Sequence, residues 1–115
     1  MTSLQAALDR ADDLGAEGRF FDAHEELEAF WMKASGDEKI LLQGLIQIAA
    51  GLHRLKLDPG KTEGAFYLLD RGMAKLSKSE NLLVPETLTA LKSGLKKIRS
   101  SGLAPGGLAF GLLTR

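Results

Sequence analysis

The sequence predicts an all-α fold: a compact bundle of about five helices, built as two stacked helical hairpins around a buried central helix, with tetratricopeptide-like packing. Three observations predict it. Apolar residues recur at spacings of three and four, and no useful stretch alternates with period two. Gly, Pro and Ser clusters cut the chain into helix-length pieces. A weak repeat relates Gly18-Arg19-Phe20-Phe21-Asp22-Ala23 to Gly60-Lys61-Thr62-Glu63-Gly64-Ala65 at a period of about forty. Two such units are fewer than a solenoid needs, so a closed bundle is expected.

The elements follow in order. A first helix over Ser3–Leu14 carries Leu4, Ala7, Leu8, Ala11 and Leu14 on one side and ends between Gly15 and Gly18. A second covers Phe20–Ala34. Ser35-Gly36-Asp37-Glu38 then breaks the chain, and Ser35 with Glu38 has the spacing of a capping box. The third helix runs to Leu57, where Asp58-Pro59-Gly60 stops it. Ile40, Leu41, Leu42, Leu45, Ile46, Ile48, Leu52 and Leu55 point in nearly every direction around its axis, which marks it as the buried centre. A fourth helix spans Thr62–Leu76, with Ala65, Leu69, Met73 and Leu76 in register. Serines, Lys78 and Asn81 form a loop, and Pro85 opens a fifth helix striped by Val84, Leu88, Leu91, Leu95 and Ile98. One helical domain therefore occupies residues 1–100. Residues 101–115 form an irregular, Gly-rich apolar tail expected to lie on the domain or on a partner.

Composition narrows the function. The 115 residues suffice for one domain with its own core. No cysteine is present, so disulfides and thiolate metal sites are excluded. Lys and Arg number 15, as do Asp and Glu, and this balance argues against a nucleic-acid partner. The mixed, acidic MTSLQAALDRADD start does not read as a signal peptide. The uncharged run from Ile40 to His53 is shorter than the roughly 20 residues a membrane span requires. A cytoplasmic protein is expected, with no membrane association.

The chemistry-bearing residues sit on two helices. Around the second helix Phe20, Ala23, Leu27, Phe30, Trp31 and Ala34 share one arc, and Phe21 and Met32 lie farther round. His24 and Glu28 fall between these groups, at the edge of the buried face, and Glu25 falls near its boundary. On the third helix Gln43 and Gln47 share a face with Arg54, beside Gly44 and Gly51, whose small size lets a neighbouring backbone approach. Buried polar groups need partners, so the two polar stripes are expected to meet in one hydrogen-bonded cluster of His24, Glu28, Gln43 and Gln47 walled by Trp31. His53 projects away from the glutamine line.

The simplest role for the cluster is a structural network that fixes helix register. An alternative is a divalent metal site with His24 and Glu28 as ligands, or a small-ligand pocket with acid–base chemistry at His24 and Glu28. No nucleophile or oxyanion donor accompanies them. Tempting motifs fail: position 28 is Glu where a zincin helix needs His, and Leu55 stands where a P-loop needs its first glycine. The basic side of the fifth helix, Lys92, Lys96, Lys97 and Arg99, reads as a solvated face.

The run Phe20-Phe21-x-Ala23-His24-Glu25-x-x-Glu28-x-x-Trp31, with Leu42-Gln43-Gly44-Leu45-Ile46-Gln47-x-Ala49-Ala50 and Gly64-Ala65 to Leu68-Leu69, resembles a prokaryotic family catalogued as domain of unknown function 309. The resemblance covers Leu8 to Leu76. It implies a small all-helical domain and no agreed activity, with signature polar positions at His24, Glu25, Glu28, Gln43 and Gln47. It also raises the interest of Glu25, which could pair with Arg54 or Lys39. Together these readings point to a non-enzymatic interaction or scaffold protein, a homo-oligomer or binder of a protein partner, without cofactor. The alternative is a metal- or small-ligand site, hydrolytic in its strongest form, at His24, Glu25 and Glu28.

Overall fold

A computed structural model describes residues 3–58, 60–79, 82 and 85–101. Five α-helices account for nearly all of them: α1 (Ser3–Ala16), α2 (Phe20–Trp31), α3 (Gly36–Leu57), α4 (Glu63–Lys78) and α5 (Pro85–Ser101). Each packs on its chain neighbour, and the longest seams join α3 to α4 and α2 to α3. The fold is thus an all-helical bundle with α3 at its centre. No described helix is long and apolar enough to cross a membrane. The tail expected over residues 101–115, together with Val84 and Asn81, lies outside the described residues, except that Ser101 closes α5.

Helix ends follow local chemistry. Gly18 adopts φ 77°, the left-handed conformation that L side chains resist, and the Arg19 amide returns to the Leu14 carbonyl at 2.9 Å to close α1. The last turn of α2 tightens: the amides of Lys33 and Ala34 bond carbonyls three residues back, Phe30 and Trp31, so the regular helix stops at Trp31 rather than at Ala34. Ser35 sits at the start of α3, but its side chain makes no capping hydrogen bond, so the expected capping box is not formed. Gly36, at φ 62°, turns the chain through the left-handed region and carries Ser35 out of reach.

The core is mostly leucine. Leu41, Leu42, Leu45, Ile48, Leu52 and Leu55 of α3 are buried against Leu27 of α2, Leu69 and Leu76 of α4, and Leu91 and Ile98 of α5. Each fully buried aliphatic side chain contributes roughly 1.5–3 kcal/mol. The apolar girdle of α3 is incomplete toward both ends, where Ile40 stays 38% exposed and Leu57 71%. Glycines set the α3–α4 distance. A Cβ on Gly72 would lie 2.6 Å from the Gly44 carbonyl oxygen, and one on Gly51 would lie 2.9 Å from that of Ala65. The two backbones therefore touch, as the glycines beside the glutamine stripe predict.

Candidate functional site: a mixed polar and aromatic face across α2, α3 and α4

The glycine seam decides where the polar residues go. Gln43 and Gln47 are one helical turn apart, but Gln47 lies nearer the glycine side, where α4 is drawn in. Its Oε1 accepts a 2.9 Å hydrogen bond from Lys75 Nζ of α4. The expectation that both glutamines meet His24 and Glu28 is therefore corrected: no hydrogen bond joins His24 to Gln43 or Gln47 among the described residues.

His24 turns along its own helix instead. Its Nε2 lies 3.5 Å from Glu28 Oε2, an ion pair only when the imidazole is protonated. Its ring stacks on Phe21 at 6.0 Å between centroids, and its Nδ1 is buried without a hydrogen-bond partner among the described residues. Phe21 also meets His53 of α3 at 5.4 Å, so His53 approaches His24 across that aromatic ring although it leaves α3 well away from the glutamines. Phe21, His24, Ala50, His53 and Arg54 line a cavity of about 170 Å³.

At the other end Trp31 carries Lys39 Nζ 4.4 Å above its ring, while its own Nε1 is buried without a hydrogen-bond partner among the described residues. Glu25 is exposed, and among the described residues no ion pair links it to Lys39 or Arg54. Arg54 reaches toward α4, where a Cβ on Gly64 would meet its Nη1 at 2.9 Å. Farther along α4, Arg71 sits over Tyr67 at 5.6 Å and donates to its hydroxyl at 3.4 Å. Desolvation holds the Lys75 ammonium below the usual lysine pKa, and the charges of Arg71 and Lys78 lower it further.

These side chains form one surface. Its floor is the α3 strip Lys39, Gln43, Gln47, Ala50 and Arg54, spaced at three or four residues. One wall is the Phe21, His24, Glu28 and Trp31 edge of α2, and the other is the Gly64, Leu68, Arg71 and Lys75 edge of α4. Along the floor Lys39, Gln43, Gln47 and Ala50 are half-buried and Arg54 is exposed; on the walls Phe21, Gly64 and Arg71 are exposed. His24, Glu28, Trp31, Gln43 and Gln47 lie along these adjoining helix edges without forming one closed network among the described residues. Sequence reasoning missed Arg71, Lys75 and the reach of His53. The signal for the first two was present: small residues at Gly44, Gly51, Ala65 and Gly72 announce a close α3–α4 seam, and that seam fixes which α4 residues flank the groove.

The model of the family described as domain of unknown function (DUF309) matches residues 8–73, well over half of the chain. The chain belongs to that family. The DUF309 match takes in α1 from Leu8, all of α2 and α3, and α4 as far as Met73, and it ends before Lys75 and α5. No curated protein and no solved structure gives a match to the chain. Among the described residues no three His, Asp or Glu side chains converge as a metal-binding group.

Proposed function

We propose that this DUF309 domain is a non-enzymatic, cytoplasmic interaction module that binds a protein segment along the α2–α3–α4 face, with the stacked hairpins presenting that face in the manner of tetratricopeptide domains. One observation carries the reading: three helices converge on a half-buried strip where aromatic, amide, imidazole and cationic groups alternate. Phe21 is 50% exposed beside it and Tyr67 60% exposed, more than a core aromatic tolerates. Such a mixed, partly desolvated surface has the composition of a recognition site. No nucleophile with an activating base lies on it, so the groups favour holding a ligand over transforming one.

The test uses a random peptide library selected on the whole chain. Ala50, at the centre of the floor, is replaced by Arg to fill the groove, with circular dichroism as the check on folding. Selected peptides should bind the native chain and lose the Ala50→Arg variant. Peptides that bind both equally, or a failure to enrich any, refute the reading. The alternative, a divalent cation at His24 and Glu28, draws support from their 3.5 Å approach. It requires metal to co-purify with untagged protein and to be lost in His24→Ala.

A further inference from the structure

We infer that the segment bound on this face is acidic, its carboxylates taken up by Arg54 and Arg71 with Lys39 and Lys75 beside them; the inference rests on the binding reading above. The observation behind it is a division among the arginines. Arg10 holds Glu26 at 3.1 Å, Arg19 holds Asp22 at 2.9 Å and Glu17 at 3.4 Å, and Arg99 holds Asp70. Arg54 and Arg71 complete the described arginines, and no carboxylate pairs with either among the described residues. Both lie on the groove. One leans toward α4 at Gly64 and the other onto the face of Tyr67.

Lys39 and Lys75 are likewise without carboxylates there, occupied by the Trp31 ring and the Gln47 amide oxygen. Glu28 on the α2 edge faces His24, and Asp58 and Glu63 line the pocket beside Arg54 without pairing with it among the described residues. A chain of zero net charge has thus placed four cations along one face, none of them in an ion pair among the described residues. Guanidinium groups offer planar, bidentate donor pairs that match carboxylates. An arriving anion would also relieve the mutual repulsion among Arg71, Lys75 and Lys78.

Dimensions and field favour a peptide. From Lys39 to Arg54 the strip rises about 22 Å along α3, the length of six or seven extended residues at roughly 3.3 Å each. The aromatic edges Phe21, Trp31 and Tyr67 suit apolar side chains alternating with the acids. Nucleic acid would demand a broad positive field, which a neutral chain lacks.

The experiment measures fluorescence anisotropy with labelled peptides of about twelve residues: one alternating Glu with Leu, its Gln-for-Glu isostere, and its Lys-for-Glu counterpart. Single-stranded RNA of matching length is the fourth probe. The acidic peptide should bind at least about tenfold more tightly than the Gln isostere, weaken as salt is raised, and be lost to Ala50→Arg. The double variant Arg54→Glu, Arg71→Glu should reverse the preference toward the Lys peptide while keeping its helical spectrum. Equal binding of the acidic and Gln peptides, both sensitive to Ala50→Arg, overturns the acidic assignment and leaves the binding face standing. RNA bound more tightly than the acidic peptide also overturns it. If no peptide binds with sensitivity to Ala50→Arg, both readings fall.

Discussion

At the scale of single residues, two glycines do different work, and substitution separates them. Gly72 is closed in by atoms: a Cβ would meet the Gly44 carbonyl oxygen and Ile48 Cγ1, each at 2.6 Å. Neither the partner backbone nor a buried isoleucine can yield without opening the seam. Gly72→Ala should therefore cost about 2–3 kcal/mol, read as a fall in the urea midpoint. Gly36 has open space around it but sits at φ 62°, so Gly36→Ala should cost only about 1 kcal/mol, from backbone strain. Equal losses at the two positions would mean that the helices are not in backbone contact. His24 gives a second residue-scale prediction. Its Nδ1 is buried without a partner among the described residues, while its side chain packs on Phe21 and is three-quarters covered. His24→Phe keeps the ring and removes the orphan nitrogen, so it should match or exceed the wild-type melting temperature. His24→Ala loses the ring and should fall below it. A large loss in His24→Phe would reveal a hydrogen bond that the fold needs. Lys75 titrates with a definite sign. Its folded pKa lies below the ordinary lysine value, so between the two the unfolded chain binds more protons, and stability rises with pH across that alkaline window. Lys75→Gln should flatten that rise in denaturation curves taken through the window.

At the scale of elements, the bundle is uneven. α3 buries one broad side between Leu41 and Leu55 and shares long seams with α2 and α4, whereas α5 meets α4 along a short one. α5 is held by Leu91, Leu95 and Ile98 and by Arg99, which reaches Asp70 and the Phe66 carbonyl at 3.3 Å. Opening α5 exposes far less apolar surface than opening α3, so amide exchange should be slowest in α3 and markedly faster in α5. Comparable protection in both would show that α5 belongs to the same cooperative unit. The same unevenness explains what was legible in the sequence. Helix identity and order were readable because each apolar stripe has one period and each break carries Gly, Pro or Ser. The central place of α3 was readable from its all-round leucines, although its Gln43–Gln47 side is only half-buried and Ile40 and Leu57 are exposed toward its ends. The pairing across helices was not. Helical projection places Gln43 and Gln47 on a face but does not say which neighbour that face meets. That depends on interhelical distance, which Gly44 and Gly72 set together from positions far apart in the chain. Projection thus sorted the cluster residues by helix face without fixing how they join across helices, except for His24 and Glu28, whose spacing of four fixes their proximity locally.

For the whole molecule, a zero net charge conceals a division of labour among cations, and stability measurements separate the two classes. Arg10 and Arg19 each pair with a carboxylate, and Arg99 ties α5 to α4 through Asp70 and the Phe66 carbonyl. Removing such a tether loses a charge-assisted contact that crosses an element boundary. The pair is substantially exposed, so screening holds the cost of Arg99→Gln to about 1 kcal/mol or less. Arg54 and Arg71 contribute no ion pair to the fold among the described residues, and Arg71 presses its charge on Lys75. Arg71→Gln removes a like-charge neighbour, so at low salt it should leave stability unchanged or raise it by a few tenths of a kcal/mol. That gain should vanish at high salt, where the Debye length falls to about 3 Å. Arg54→Gln should stay within about 0.5 kcal/mol of the wild type. A loss well beyond 1 kcal/mol on neutralising either groove arginine would show that the fold itself consumes these charges. The reason for expecting an acidic partner would then disappear, since a guanidinium already spent on the bundle is not free to hold a carboxylate from outside.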